Sequence, residues 1–296
     1  MPSTSDSVLL AVGVVAVSTS GPIMATVVAP ALAVAFWRNA LGAAATGAYV
    51  AMRRRHEVAV LTRRHLLLIG GAGFLLALHF GTWVPSLRLT SVASATALTC
   101  VQPVWSALIT RAQGRAVRGR VWLGVAVALA GALLLTGLDL SVRGDALLGD
   151  LLALLGGMFA AGYVALGEEV RRDVSTAAYT SVCYSVAAVL LLLACLIGGL
   201  QLGGYPARTW ILLAALTLGA QLLGHSVFNR VVKSTSATVV SLVILFEVPG
   251  AGILAAIWLH QSLEVLAIPA LLLLLAGLAI VVSSGSRATP PVLPTE

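Results

Sequence analysis

The chain has 296 residues, of which 59% are hydrophobic and 10% charged, with a mean hydropathy of +1.01. A soluble domain keeps roughly 25% charged residues to hydrate its surface, so this composition excludes an ordinary soluble protein. The 18 basic residues outnumber the 11 acidic ones and give a net charge of +7, a balance that in a soluble protein points to nucleic acid; the placement of the arginines argues against that partner.

In chain order, residues 1–7 carry no basic region, and no small-residue cleavage site follows the first apolar run. That run therefore reads as a retained span and not as a cleaved signal peptide. About 20 apolar residues cross a bilayer. Uncharged apolar windows between charged or Gly/Pro-rich breaks predict ten helices, at 8–28, 31–52, 65–86, 91–111, 121–138, 147–168, 176–199, 209–228, 236–258 and 265–284. The first break is only Ala29-Pro30, which implies a tight hairpin. Gly198-Gly199, Gly203-Gly204 and Pro206 predict an irregular loop after the seventh helix. The tail, 285–296, is rich in Pro and Thr and is expected to be disordered on the cytoplasmic side.

Ten spans put both termini on one side of the membrane. The even-numbered loops and the tail hold fourteen of the 18 basic residues, among them Arg53, Arg54, Arg55, Arg63, Arg64 and Arg118. The odd-numbered loops hold Arg88, Arg143 and Arg208, and Arg38 lies within a span. The positive-inside rule then predicts N-in, C-in topology, so the basic excess is a topology signal and no nucleic-acid partner is expected. Cys100, Cys183 and Cys195 fall in apolar stretches without metal-ligand spacing and read as small buried hydrophobes. The Arg-over-Lys and Ala-rich usage points to a GC-rich bacterial source, hence to the bacterial inner membrane.

The two halves resemble each other. Pro103 and Pro249 stand 146 residues apart, and so do Ala130-Gly131 and Ala276-Gly277, and His79 and His225. Several matches at one offset near half the chain length indicate a duplicated five-helix unit, with halves at 1–138 and 139–284. Because five is odd, the second unit enters the membrane from the opposite side. The expected fold is thus an all-α membrane protein of ten transmembrane helices arranged as two inverted five-helix repeats, a plan that puts a substrate site near the midplane between the halves.

The run Ala35-Phe36-Trp37-Arg38-Asn39-Ala40-Leu41-Gly42-Ala43, the run Gly149-Asp150-Leu151-Leu152-Ala153-Leu154 followed by Gly167-Glu168-Glu169-Val170-Arg171-Arg172, and the stretch from Phe246-Glu247-Val248-Pro249 to Ala276-Gly277 resemble the EamA-like branch of the drug/metabolite transporter superfamily. The resemblance spans residues 8–284. It implies a central cavity lined by helices one, three, four, six, eight and nine, with alternating access by movement of helix bundles. Two positions depart from the family pattern: Val248 separates Glu247 from Pro249 where the family has Glu-Pro, and Gln261 stands near a usual Glu.

Ionisable groups at membrane depth are expensive unless they face a partner or a wet cavity, so each is a candidate. Glu247 falls near the middle of the ninth predicted span. It reads as a substrate or proton site, since burial favours the protonated carboxyl and lets a cation exchange for the proton; the structural alternative is an interhelical hydrogen bond. Arg38 reads as a receptor for an anionic group, as the partner of an acid in the cavity, or as a structural partner for helix-end carbonyls. His79 and His225 occupy equivalent repeat positions and could each titrate at one gate, although a helical His is more often a satisfied hydrogen-bonder. Gln102 lies beside Pro103, a helix-interrupting residue that frees a carbonyl, and Trp105 is expected to wall a pocket. The pathway set is therefore Glu247, Arg38, His79, Gln102, Trp105 and His225. Trp83 and Trp210, near span ends, read as interface anchors. Asp145 and Asp150 read as helix N-terminal charges.

No glycine precedes Lys233, the only lysine, so no phosphate-cradling loop exists for ATP; HExxH and GxSxG are absent as well. Neither an enzyme, a cofactor nor a metal is expected. The leading expectation is a secondary transporter exporting a small metabolite or drug-like compound, with proton coupling resting on one acid and two histidines. The alternatives are a facilitative or uptake permease of the same fold and a non-transporting receptor or scaffold.

Overall fold

The computed structural model describes residues 4–114, 116–142, 145–224, 227–228, 231, 243–261, 265 and 267–285, and among them there is no strand. Helices α1 (Thr4–Ser18) and α2 (Ser20–Thr26) form the first apolar stretch; α3 (Ala31–Arg53), the short α4 (Arg55–Ala59) and α5 (Arg63–Leu89) follow. Next come α6 (Val92–Thr99), α7 (Gln102–Ala112), α8 (Gly119–Val142), α9 (Ala146–Val170) and α10 (Thr176–Ile197). After a loop, α11 (Ala207–Leu216) runs directly into a π-helix (Thr217–Gly224), and α12 (Glu247–Leu259) and α13 (Ala267–Gly285) complete the described elements. Among the described residues, seven stretches are long and apolar enough to cross a membrane, with two shorter apolar helices at Gly119–Leu134 and Glu247–Leu259. Tertiary burial of only part of each span fits helices that are wrapped by lipid on their outer faces.

Local chemistry sets the helix ends. The hydroxyls of Thr62, Ser91 and Ser175 accept from the backbone N–H three residues on, at 3.2, 3.0 and 3.2 Å, and so satisfy orphan donors of α5, α6 and α10. Pro30 and Pro206 stand immediately before α3 and α11, where a fixed φ starts a helix without costing a bond. The irregular loop after α10 needs positive φ at Gly199 and Gly204, the conformations that favour glycine.

Helix pairing shows a pseudo-twofold pattern. α3 packs on α10, α8 on α13 and α6 on α12, each joining equivalent spans of the two halves. The α5–α9 pair has its counterpart in α1 against the π-helix. Lipid tails are as apolar as leucine, so close backbone approach, not hydrophobic exclusion, must hold such pairs together. The α8–α13 crossing does this with small residues: a side chain at Gly131 would run into the Leu274 and Ala270 backbone, and one at Gly277 into Ala128. At one end of the bundle, rich in arginine, Arg54 pairs with Glu57 at 2.7 Å, Arg64 with Glu169 at 2.7 Å and Arg172 with Glu169 at 2.8 Å. There Glu57 also accepts from the Ser175 hydroxyl, which ties the α3–α5 connection to the N-cap of α10. Its carboxyl is held below the ordinary carboxylate range by the Ser175 hydroxyl and then by Arg54.

Candidate functional site

Three apolar stretches are interrupted midway, and each restarts with a proline in the first turn of the new helix. The first breaks at Thr19 and restarts as Ser20-Gly21-Pro22; the fourth breaks at Cys100-Val101 and restarts as Gln102-Pro103; the ninth has a turn at Leu245-Phe246 and restarts as Glu247-Val248-Pro249. Proline tolerates a first turn because its missing N–H would find no partner there, whereas mid-helix it deletes a bond and clashes with the preceding turn. Predicted continuous helices at 8–28, 91–111 and 236–258 are thus corrected to broken ones over the described residues. Glu247 does not stand mid-helix but is the first residue of α12, while residues 232–242 lie outside the described set. In the eighth stretch the π-helix supplies a fourth irregularity, a form often found at functional sites.

All four irregularities open onto one cavity of about 410 Å³. The first residue of each restarted helix, Ser20, Gln102 and Glu247, lines it, as does Gln221 of the π-helix. Helices α3, α5, α9 and α10 close the walls with Arg38, His79, Tyr163 and Tyr184 among others. The lining therefore includes the second and seventh helices in addition to those the family resemblance implies. Its volume lies within the range of small-molecule sites.

Arg38 is 3% exposed and fixed on one side. Its Nε donates to Gln221 Oε1 at 2.9 Å, and Nη1 to Ser20 Oγ at 2.8 Å and to Met24 Sδ at 3.6 Å. The guanidinium carbon lies 4.5 Å from the Phe80 ring centroid, a cation–π contact. Helix-end carbonyls, one of the expected partners, are not what holds it; that role falls to Arg88, whose Nη2 donates to Val27 O at 2.6 Å at the end of α2. Gly42 makes room for this arrangement, because a side chain there would occupy the place of the Gln221 amide.

His79 is buried in α5, with Nδ1 2.9 Å from Gly156 O on α9. A carbonyl can only accept, so Nδ1 carries the proton of this hydrogen bond. The imidazole stacks on Trp83, with ring centroids 5.5 Å apart. Trp83, expected as an interface anchor, is instead 5% exposed and lines the cavity. Trp105 is not among the lining residues; it packs half-buried against the apolar core, one helical turn beyond Gln102 but rotated from it. His225 lies outside the described residues. Trp210 packs edge-on against Trp37, whose Nε1 donates to Leu202 O at 2.9 Å and pins the irregular loop. Asp150, expected as a helix N-terminal charge, is the fifth residue of α9, beyond a first turn that holds no acidic residue, so that expectation is corrected; it is also fully buried. Gln261, the departure from the family's Glu, accepts from Val92 N at 3.1 Å and so serves the start of α6.

Sequence reading missed Ser20, Gln221, Tyr163, Tyr184 and Trp83. Gln221 was the most accessible omission, being a lone amide within an uncharged apolar run. Among the described residues no group of three His, Cys, Asp or Glu side chains could hold a metal ion.

A model of the EamA-like transporter family matches residues 6–137 and again 147–283. One solved crystal structure superposes over 96% of this chain and 99% of its own, with a TM-score of 0.63 at 18% identity, a likeness of fold. No functionally curated protein matches the sequence.

Proposed function

Since the chain belongs to the EamA-like transporter family, and is in that sense a multi-pass membrane protein of transporter type, we propose that it is a secondary exporter. It carries a small amphipathic metabolite or drug-like compound through the cavity and out across a bacterial inner membrane. Ten spans, in two inverted five-helix repeats, run N-in and C-in, and the arginine-rich end of the bundle faces the cytoplasm.

The observation that carries this reading is the convergence of three proline-restarted helices and a π-helix on one cavity. Irregular backbone at membrane depth is tolerated only where it is buried in protein or lines a cavity, and transporters place their sites at such breaks. The two halves rock about this point, exposing it alternately to either side. Glu247 supplies the proton-exchanging group, and no hydrogen bond or ion pair reaches its carboxylate from the described residues.

The test compares metabolites in the medium and cells of a host expressing wild type, Glu247→Gln or an empty vector. A compound that accumulates outside only with wild type is the expected result. Identical profiles for wild type and vector, with membrane-inserted protein, refute export. In liposomes, an outward flux indifferent to an imposed pH gradient would remove the proton from the scheme. A reporter fused after Glu296 should be active only inside the cell.

A further inference from the structure

At the arginine-rich end of the bundle, α3 stops at Arg53, and Arg54, with φ −144° and ψ 25°, turns the chain into α4. The bend forms a concavity of about 530 Å³ lined by Tyr49, Arg53, Arg54, His56 and Glu57, which shares no residue with the central cavity. α3 has 23 residues. At about 1.5 Å per residue it rises about 34 Å, which carries its last turn past a hydrocarbon core of about 30 Å and into the headgroup layer.

Charge in this hollow is not balanced. Glu57 is the one carboxylate lining it, and that group is already engaged: Arg54 Nη1 donates to Oε1 at 2.7 Å and the Ser175 hydroxyl donates to Oε2. Arg54 is committed in turn to Glu57 and, through Nε, to the Tyr49 hydroxyl at 3.3 Å. Arg53, by contrast, is exposed and makes no hydrogen bond or ion pair with any described residue, and the same holds for Arg55 at the start of α4. Glu169 and Asp173, carboxylates at the same end, face Arg64, Arg172 and His65 instead. Two arginines are thus left at one bend without a counter-charge from the chain.

The apolar surroundings indicate what supplies that counter-charge. Tyr49 and Met52, in the last turns of α3, are 46% and 75% exposed, Val60 beyond α4 is 72% exposed, and no residue of α4 is buried. Apolar side chains beside a cationic hollow at headgroup depth match a molecule with an anionic head and acyl chains. A phosphodiester suits arginine, whose planar donors pair with phosphate oxygens. A head that also carries an ammonium group is disfavoured, because the carboxylate that would receive it is occupied.

We propose that this bend binds the headgroup of an anionic phospholipid, with Arg53 receiving the phosphate, Arg55 adding to the positive field, and Tyr49 and Met52 lying beside the acyl chains. Glu57 joins the same bend to the N-cap of α10, so a lipid seated here bears on a connection between the two halves. The site goes beyond the transporter reading and depends on neither a substrate nor a direction of transport.

The test titrates the full chain in detergent micelles with phosphatidylglycerol or phosphatidylethanolamine of identical acyl chains and reads bound lipid by native mass spectrometry. Phosphatidylglycerol should bind about tenfold tighter or more, the worth of two basic side chains at a membrane surface. Arg53→Gln combined with Arg55→Gln should erase most of that preference and leave the thermal melt of lipid-free protein unchanged, since neither side chain holds a contact. Arg111→Gln combined with Arg120→Gln removes the same charge from exposed positions flanking the α7–α8 connection, and should keep the preference. Equal binding of the two lipids by wild type, an unchanged preference in the Arg53/Arg55 variant, or an equal loss in both variants overturns the site, the last outcome marking a general attraction to basic surface. Inorganic phosphate and glycerol 3-phosphate at millimolar concentration should not displace bound phosphatidylglycerol; displacement by either assigns the hollow to a soluble phosphate and overturns the lipid.

Discussion

Arg38 illustrates how a membrane-embedded charge is made tolerable: one carboxamide, one hydroxyl, one thioether and one aromatic face surround it, drawn from three different stretches of chain. The carboxamide reaches it only because residue 42 lacks a side chain. In Gly42→Ala the new methyl group displaces Gln221 from Arg38 Nε, and loss of a hydrogen bond to a charged group costs about 1.5–3 kcal/mol. Flux should fall together with the thermal stability of the detergent-solubilised protein; unchanged values for both would show that Gln221 is not a support for Arg38. Glu57 acts at the arginine-rich end. Its carboxyl is depressed by the Ser175 hydroxyl and then by Arg54, so the stability it contributes is present above the ordinary carboxylate pKa and is lost as pH falls through the depressed value. Thermal melts of wild type between neutral pH and about pH 3 should show an acid decline that is weaker in Glu57→Gln.

At the scale of elements, the recurring device is a helix that stops and restarts with proline in its first turn. In α7, Pro103 has no N–H to offer the Thr99 carbonyl, which instead lies against Gly157 of α9. Replacing Pro103 by Ala supplies that donor and lets α6 continue into α7. The expected outcome is slower flux at equal or higher thermal stability, accompanied by stronger hydrogen-exchange protection at residues 100–103. Faster exchange there would contradict the role given to the break. The sequence marked one of these interruptions through Pro103 beside Gln102, yet such a proline does not separate a kink from a full restart, because proline permits both.

For the whole molecule, three pairs of equivalent spans meet across the pseudo-twofold axis, and the α8–α13 pair does so at backbone contact. Gly277→Val forces those backbones apart, and overpacking of this kind costs about 1–3 kcal/mol. A lowered melting temperature and a loss of monodisperse protein on gel filtration are expected; a wild-type melt would mean that the crossing contributes little. The same symmetry explains why Ala130-Gly131 and Ala276-Gly277 recur at one offset: each supplies the small surface on which its counterpart helix rests.

Hydropathy, charge placement and the internal offset already determined that the chain is an all-helical membrane protein of two related halves, because lipid solvation and the positive-inside bias act on local composition. They also marked Arg38, His79, Gln102 and Glu247, since polar side chains are rare and costly in apolar spans. Only the tertiary structure decided which of them share a cavity. It brings these four together, leaves Trp105 against the core and draws in Ser20, Trp83, Gln221 and two tyrosines. The physical reason is that the direction a side chain faces depends on where each helix breaks and how far it turns before restarting. Those rotations are fixed by packing against neighbours distant in sequence.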